Sequence, residues 1–320
     1  LNDIPLYVDF TEATGLAGVS KLRLPITKSD ATRQISKVVV SGVEESYSVD
    51  TPAPLNIDVE QNIPSSKQAR TSDYAVIFGV EQYPSPTPRA IYAARDATWF
   101  KEYAAKALGI PQANIYFRVN ESVTKNEFDK VFGRSGWLDL RVKADSRVYF
   151  FFSGHGIPSQ TEGKAYILPY DGDPSYAALT AYPLQDVYDG LSRLKSAQNL
   201  VFLDACFTGM ARENHPLYAS ARPVFLAPEK LVPPSKVNVL SASESKQMSN
   251  AWSEKQHGFF SYFLLKGMQG SADANQDKRL TLAELQAYLH KEVPPQAARL
   301  DKEQVPQFSG KSLDEVLIEY

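Results

Sequence analysis

Val148-Tyr-Phe-Phe-Phe-Ser-Gly-His155-Gly156 and Leu200-Val-Phe-Leu-Asp204-Ala-Cys206-Phe-Thr-Gly209 are two short apolar runs, each ending in a reactive side chain near glycine. Continuous apolar runs of this length read as buried parallel strands, and open α/β sheets bind ligands outside the carboxyl ends of their strands. The two runs therefore aim an imidazole and the chain's single thiol at one crevice. A lone Cys is most often a small buried hydrophobe. Packing alone does not require both residues to sit where an apolar strand meets glycine, which permits sharp turns and close approach of a substrate.

Working outward, the rhythm from Tyr74 is strand then helix, repeated. Tyr74 to Val80 is an apolar run followed by a Pro-rich loop at 84 to 88. Ala93, Ala97, Phe100, Ala104 and Leu108 fall on one helical face, stopped by Gly109 and Pro111. Thr124 with Glu127 predicts a capping box for a helix running towards Leu140. Strands are expected at 114–119, 147–152, 165–168, 200–203 and 237–240, with helices at 184–194 and 259–268. This alternation requires a mostly parallel sheet covered by helices on both sides. Residues 1–70 differ: Lys37 to Val49 is rich in β-branched residues, and 64–73 is a polar connector. The expected organisation is a β-rich segment and connector at 1–70, an α/β domain at 71–312 and a tail at 313–320.

At 320 residues and 43% hydrophobic content, the chain can bury a sizeable core. A net charge of -3, with no long single-sign block, argues against nucleic acid or a polybasic membrane contact. No apolar run approaches the roughly 18 residues of a membrane span. One cysteine rules out an intramolecular disulfide. The sequence starts at Leu1 rather than Met, which leaves the compartment open between cytoplasm, periplasm and secretion.

A free thiol is only a few per cent thiolate at neutral pH, so a nucleophilic Cys206 needs a base, and His155 supplies one. The tetrahedral oxyanion would be held by the backbone N–H groups of Gly156 and Cys206, each worth roughly 3 kcal/mol in comparable sites. Acyl transfer from an amide is the implied reaction.

Ser-Gly-His-Gly after an aromatic strand, Asp-Ala-Cys-Phe-Thr-Gly after a second, and His257-Gly-Phe-Phe-Ser-Tyr-Phe-Leu-Leu-Lys-Gly downstream together resemble the caspase and metacaspase group of cysteine peptidases, particularly bacterial caspase-like proteins. The resemblance covers roughly residues 72–312. It implies a three-layer caspase-haemoglobinase fold with a mostly parallel sheet, and a Cys206/His155 dyad without an obligatory third member. It also implies a peptide or protein substrate with Arg or Lys before the cut. Asp204 shares the strand face of Cys206. Asp96, in Ala93-Ala-Arg-Asp-Ala97, matches the metacaspase Asn-Asp-Ala region, and Ser153 completes the pocket by analogy. Ala93 stands where metacaspases carry a cysteine, which leaves the pocket's shape open. Salt-bridged Asp96 and turn-capping Asp204 are the structural alternatives. The long linker 210–236 invites self-cleavage by the same analogy, with an uncut surface loop the alternative.

Asp273, Asn275, Asp277, Arg279, Thr281 and Glu284 follow the spacing of an EF-hand-like calcium loop. Lys278 stands where glycine is usual, and Thr281 with Glu284 equally spells a helix capping box. The spacing makes the loop a candidate metal site, although the chemistry itself needs no cofactor; metacaspases often require calcium, but usually through acidic residues nearer the active site. Asp171, Asp173, Asp186 and Glu213 are weaker candidates. His215, His257 and His290 lack metal-ligand spacing and read as surface or helix-end residues. Trp252 either walls the cleft or packs. The expected function is cysteine endopeptidase, and the competing one is a caspase-fold scaffold or adaptor without turnover. Oligomeric state is open, with the monomer favoured.

Overall fold

The computed structural model describes residues 56–158, 164–207, 217, 233–234, 236–243, 249–311 and 313–320, together with the backbone of four short strands before them. Leu1–Leu55 and Asn56–Tyr320 form separate compact units. In the first, β1 (Leu6–Val8) pairs antiparallel with β2 (Leu22–Leu24), and β3 (Val38–Val40) with β4 (Val43–Glu45).

The second unit is built on a six-stranded sheet. Its strands are β5 (Tyr74–Gly79), β6 (Ile115–Val119), β7 (Arg147–Ser153), β11 (Gln198–Asp204), β12 (Val237–Ser241) and β16 (Gln307–Ser309), in the order β16-β12-β11-β7-β5-β6. All neighbours are parallel except β16, which runs antiparallel to β12. Shorter strands lie outside it: β8 (Gly156–Pro158), β9 (Ala165–Ile167), β10 (Tyr182–Pro183), β13 (Ala251–Trp252), β14 (His257–Gly258), β15 (Arg279–Thr281) and β17 (Val316–Glu319).

The apolar runs are continuous because both faces of the sheet are covered. Ala75, Ile77, Tyr149, Phe151, Leu200 and Phe202 point to one core, shared with α1 (Ala93–Lys106), α5 (Phe259–Lys266) and α6 (Leu282–Ala298). Their alternates Val76, Phe78, Val148, Phe150, Phe152, Val201 and Leu203 join the other, under α2 (Lys125–Phe132) and α4 (Leu184–Arg193). The period of two along each strand makes this division. Phe100 of α1 stacks on Phe151 with centroids 4.4 Å apart, which fixes α1 over the sheet. A short helix α3 (Ala177–Thr180) completes the set.

Three expectations change. The helix from Lys125 ends at Phe132, before Gly133, and Thr124 makes no side-chain cap. Glu127 instead binds Tyr116 and Lys130, which removes it from the capping box. Ile57 and Val59, expected within the β-rich segment ahead of the 64–73 connector, belong instead to the second unit: both enter its core, and Tyr103 donates to the Val59 carbonyl at 2.7 Å. The 313–320 segment is not a loose tail, since β17 pairs with β15 and buries Leu317 and Ile318.

Helix α1 packs so closely on β5 that a Cβ at Gly79 would stand 2.5 Å from Ala97 Cβ and 2.6 Å from the Ala93 carbonyl. Gly79→Ala must therefore separate the two elements and should cost about 1–3 kcal/mol in urea unfolding. An unchanged midpoint and slope would contradict this packing.

Candidate active site

Parallel pairing of β7 with β11 sets Ser153 opposite Asp204, so His155 and Cys206 each follow two residues beyond a matched pair. The N–H of Gly154 donates to the Asp204 carbonyl at 3.3 Å, extending the contact past the sheet. A Cβ on Gly156 would lie 2.6 Å from the Cys206 carbonyl and 2.6 Å from the Phe207 ring. Only glycine permits this approach, and it brings the backbone after His155 against Cys206. His155 and Cys206 are 2% and 4% exposed. Residues 159–163 and 208–216, which continue from these strand ends, lie outside the described residues, as do 244–248 and most of the 210–236 linker.

The His155 ring is held by groups that the sequence did not reveal. Its Nε2 is 2.8 Å from the Pro88 carbonyl, an acceptor only, so Nε2 carries the hydrogen of the neutral ring. Tyr83 stacks on the ring at 4.8 Å, accepts the His155 backbone N–H at 3.0 Å and donates to the Leu168 carbonyl at 3.2 Å. The Pro-rich loop was visible; that its carbonyl would orient the histidine was not.

Asp96, Ser153 and Asp204 come together around Gly258. Asp96 is fully buried in the first turn of α1, where the helix dipole favours an anion. Its Oδ2 accepts from Ser153 Oγ at 3.1 Å, and both its oxygens face the Gly258 N–H at 3.2 and 3.3 Å. Asp204, also fully buried, accepts from Ser249 Oγ and, at the start of α5, from Ser261 Oγ at 2.6 Å and Ser261 N–H at 3.2 Å. A Cβ on Gly258 would stand 2.2 Å from Asp204 Oδ2. Two carboxylates and a hydroxyl thus surround one glycine at the ends of β7 and β11.

The sequence model of the family described as Caspase domain matches residues 72–318. The chain belongs to the caspase-domain family. The caspase fold is also seen in two crystal structures at low identity. One, a protein from Geobacter sulfurreducens, aligns with a TM-score of 0.53 and 16% identity over 76% of this chain and 97% of that one. The other, caspase-1 from Spodoptera frugiperda, gives 0.50 and 15% over 78% and 90%. No curated protein matches. The family consists of cysteine hydrolases.

Within this caspase domain, His257 stands two residues before α5 but is fully buried, which corrects the surface alternative. Its Nδ1 lies 2.7 Å from Asp96 Oδ1 and its Nε2 3.1 Å from Glu60 Oε1. Trp252 packs in the core, stacked on Phe259 at 5.2 Å. In the 273–284 loop, Lys278 adopts a left-handed φ of 65° and Leu280 is buried. Asp273 accepts from Lys278 N–H, Asn275 from Asp277 N–H and Asp277 from Arg279 N–H. Thr281 and Glu284 form the capping box of α6. Asp273 Oδ1 is buried without a hydrogen-bond partner. Among the described residues, no three His, Cys, Asp or Glu side chains gather as a metal centre. Asp171 accepts from Lys125 N–H and Asp173 caps the turn at 174–176. Glu213 and His215 lie outside the described residues.

Burial would lower the His257 pKa, but hydrogen bonds to Asp96 and Glu60 outweigh it and raise the pKa above the ordinary 6.5. For Glu60, burial raises and the bonds from His257 and Arg95 lower, with a net fall below 4.5. The histidine's contribution to stability is therefore complete below its unfolded value and lost as pH rises through its folded one; that of Glu60 is lost as pH falls through its lowered value. Thermal melts of wild type and His257→Gln between about pH 5 and 9 should converge at the alkaline end. A Tm difference that stays constant with pH would contradict the buried imidazolium.

Proposed function

We propose that this protein is a cysteine endopeptidase that cuts after Arg or Lys, with Cys206 as nucleophile and His155 as general base and acid. The observation that carries the reading is the anchored His155 ring, whose Nε2 is committed to the Pro88 carbonyl beside the strand end that bears Cys206. In this mechanism His155 Nδ1 takes the thiol proton, and the thiolate forms a bond to the scissile carbonyl carbon. The resulting oxyanion is stabilised by the N–H groups of Gly156 and Cys206. The C–N bond then breaks as His155 returns the proton to the leaving amine. Water, deprotonated by the same imidazole, hydrolyses the thioester and restores the thiol.

Specificity for a basic side chain is supported by Asp96, Ser153 and Asp204 around Gly258. Charge-assisted bonds from a guanidinium to two carboxylates, each about 1.5–3 kcal/mol, are sufficient to select it. Binding requires these buried carboxylates to exchange part of their internal partners for the substrate.

A fluorogenic panel with Arg, Lys, Asp or Leu before the cut should give Arg above Lys, with Asp and Leu near background. An arginyl chloromethylketone should alkylate Cys206, as mapped by peptide mass, and Cys206→Ala should lose about 10³-fold or more of the rate. Labelling without turnover would favour the peptide-binding scaffold. Preference for Asp would refute the basic pocket.

A further inference from the structure

Glu60 lies ahead of residues 72–318, over which the caspase-domain model matches, yet it belongs to the same compact unit and is bonded to His257, which holds Asp96 of the proposed pocket. The path runs from Glu60 Oε1 to His257 Nε2 at 3.1 Å, and from His257 Nδ1 to Asp96 Oδ1 at 2.7 Å. Asp96 then holds Ser153 and the Gly258 N–H. Ionised carboxylates only accept, so an imidazole with a carboxylate on each nitrogen donates from both and is positively charged. Arg95 fixes the far side of Glu60 with two bonds of 2.7 Å, Nε to Oε1 and a terminal nitrogen to Oε2. Among the described residues, other charged groups nearby are Asp204, which abuts Gly258, and Asp58, which is engaged by Lys255, Lys266 and Tyr262; Lys101, Glu102 and Lys106, further along α1, pair with one another.

We infer that the segment ahead of the caspase domain completes its specificity apparatus: Glu60 fixes His257, His257 fixes Asp96, and the orientation of Asp96 governs discrimination between Arg and Lys. This rests on the basic-pocket reading above. A guanidinium is a planar fork that needs carboxylate oxygens in set directions, whereas an ammonium is a point charge that tolerates a rotated carboxylate. Glu60 and His257 are thus positioning residues that act through Asp96. Asp58, in the same turn, braces the segment without contacting His257 or Asp96.

The test uses the full chain and matched peptides differing only in Arg or Lys before the cut. The Arg-over-Lys ratio of kcat/KM should fall about threefold or more in Glu60→Gln and His257→Gln, and stay at the wild-type value in Asp58→Asn. That ratio does not depend on the fraction of folded enzyme, so a merely structural role would not move it. Glu60→Asp, which keeps the charge but withdraws it by one methylene, serves if Glu60→Gln folds poorly. The second readout needs no turnover: in Cys206→Ala protein, the His257 imidazole followed by NMR should titrate above the ordinary histidine value and shift down on adding Glu60→Gln. A basic preference in wild type with an unchanged ratio in the Glu60 and His257 variants overturns this inference alone. A His257 titration unmoved by Glu60→Gln overturns it whatever the activity. A wild type that rejects Arg and Lys removes the pocket reading and this inference with it.

Discussion

The register of β7 against β11 is the constraint on which the site depends. Pairing Ser153 with Asp204 brings the two chains out of the sheet at the same level, with His155 and Cys206 each two residues beyond the last pair. A slip of one residue would exchange the two faces of β7, sending Phe150 and Phe152 to the core now holding Tyr149 and Phe151. The apolar packing on both sides of the sheet thus enforces the geometry of a polar site that lies outside it.

At that rim the structure holds two fully buried carboxylates without leaving either to bulk water. An unpaired buried charge would cost several kcal/mol, so each needs its own compensation. Asp204 has the hydroxyls of Ser249 and Ser261 and an N–H at the start of α5. Asp96 has the start of α1, Ser153, the Gly258 N–H and the imidazole of His257. Among the described partners, those of Asp204 are hydroxyls and an N–H, whereas those of Asp96 continue through His257 and Glu60 to Arg95. His155 is treated differently again, oriented among the described residues by a backbone carbonyl and an aromatic ring. A carbonyl fixes the tautomer without adding a charge to the ring's surroundings.

Membership of the caspase-domain family accompanies only 15% and 16% identity to the two solved structures. Such divergence is tolerated because the sheet asks for apolar side chains of suitable volume on alternating faces, not for particular residues. The glycines are less exchangeable where backbone meets backbone: Gly156 against Cys206, and Gly258 against Asp204.

The sequence by itself determined the alternation of strands and helices, the ends at which His155 and Cys206 stand, and the capping box at Thr281 and Glu284, because these follow from periodicity and local hydrogen bonding. The resemblance of its motifs to a known family supplied Asp96, Ser153 and Asp204, which the fold gathers around Gly258. Local rules failed where a better partner arrived from elsewhere: Glu127 turns from Thr124 to Tyr116 and Lys130, and the 56–70 segment contributes Ile57 and Val59 to the core. Only the tertiary structure decided that Pro88 would orient His155, that His257 would be buried, and that Glu60 would meet it across 197 residues of chain. Such partners have no spacing rule, since they are chosen by which surfaces the sheet and its helices bring together once the apolar faces are satisfied.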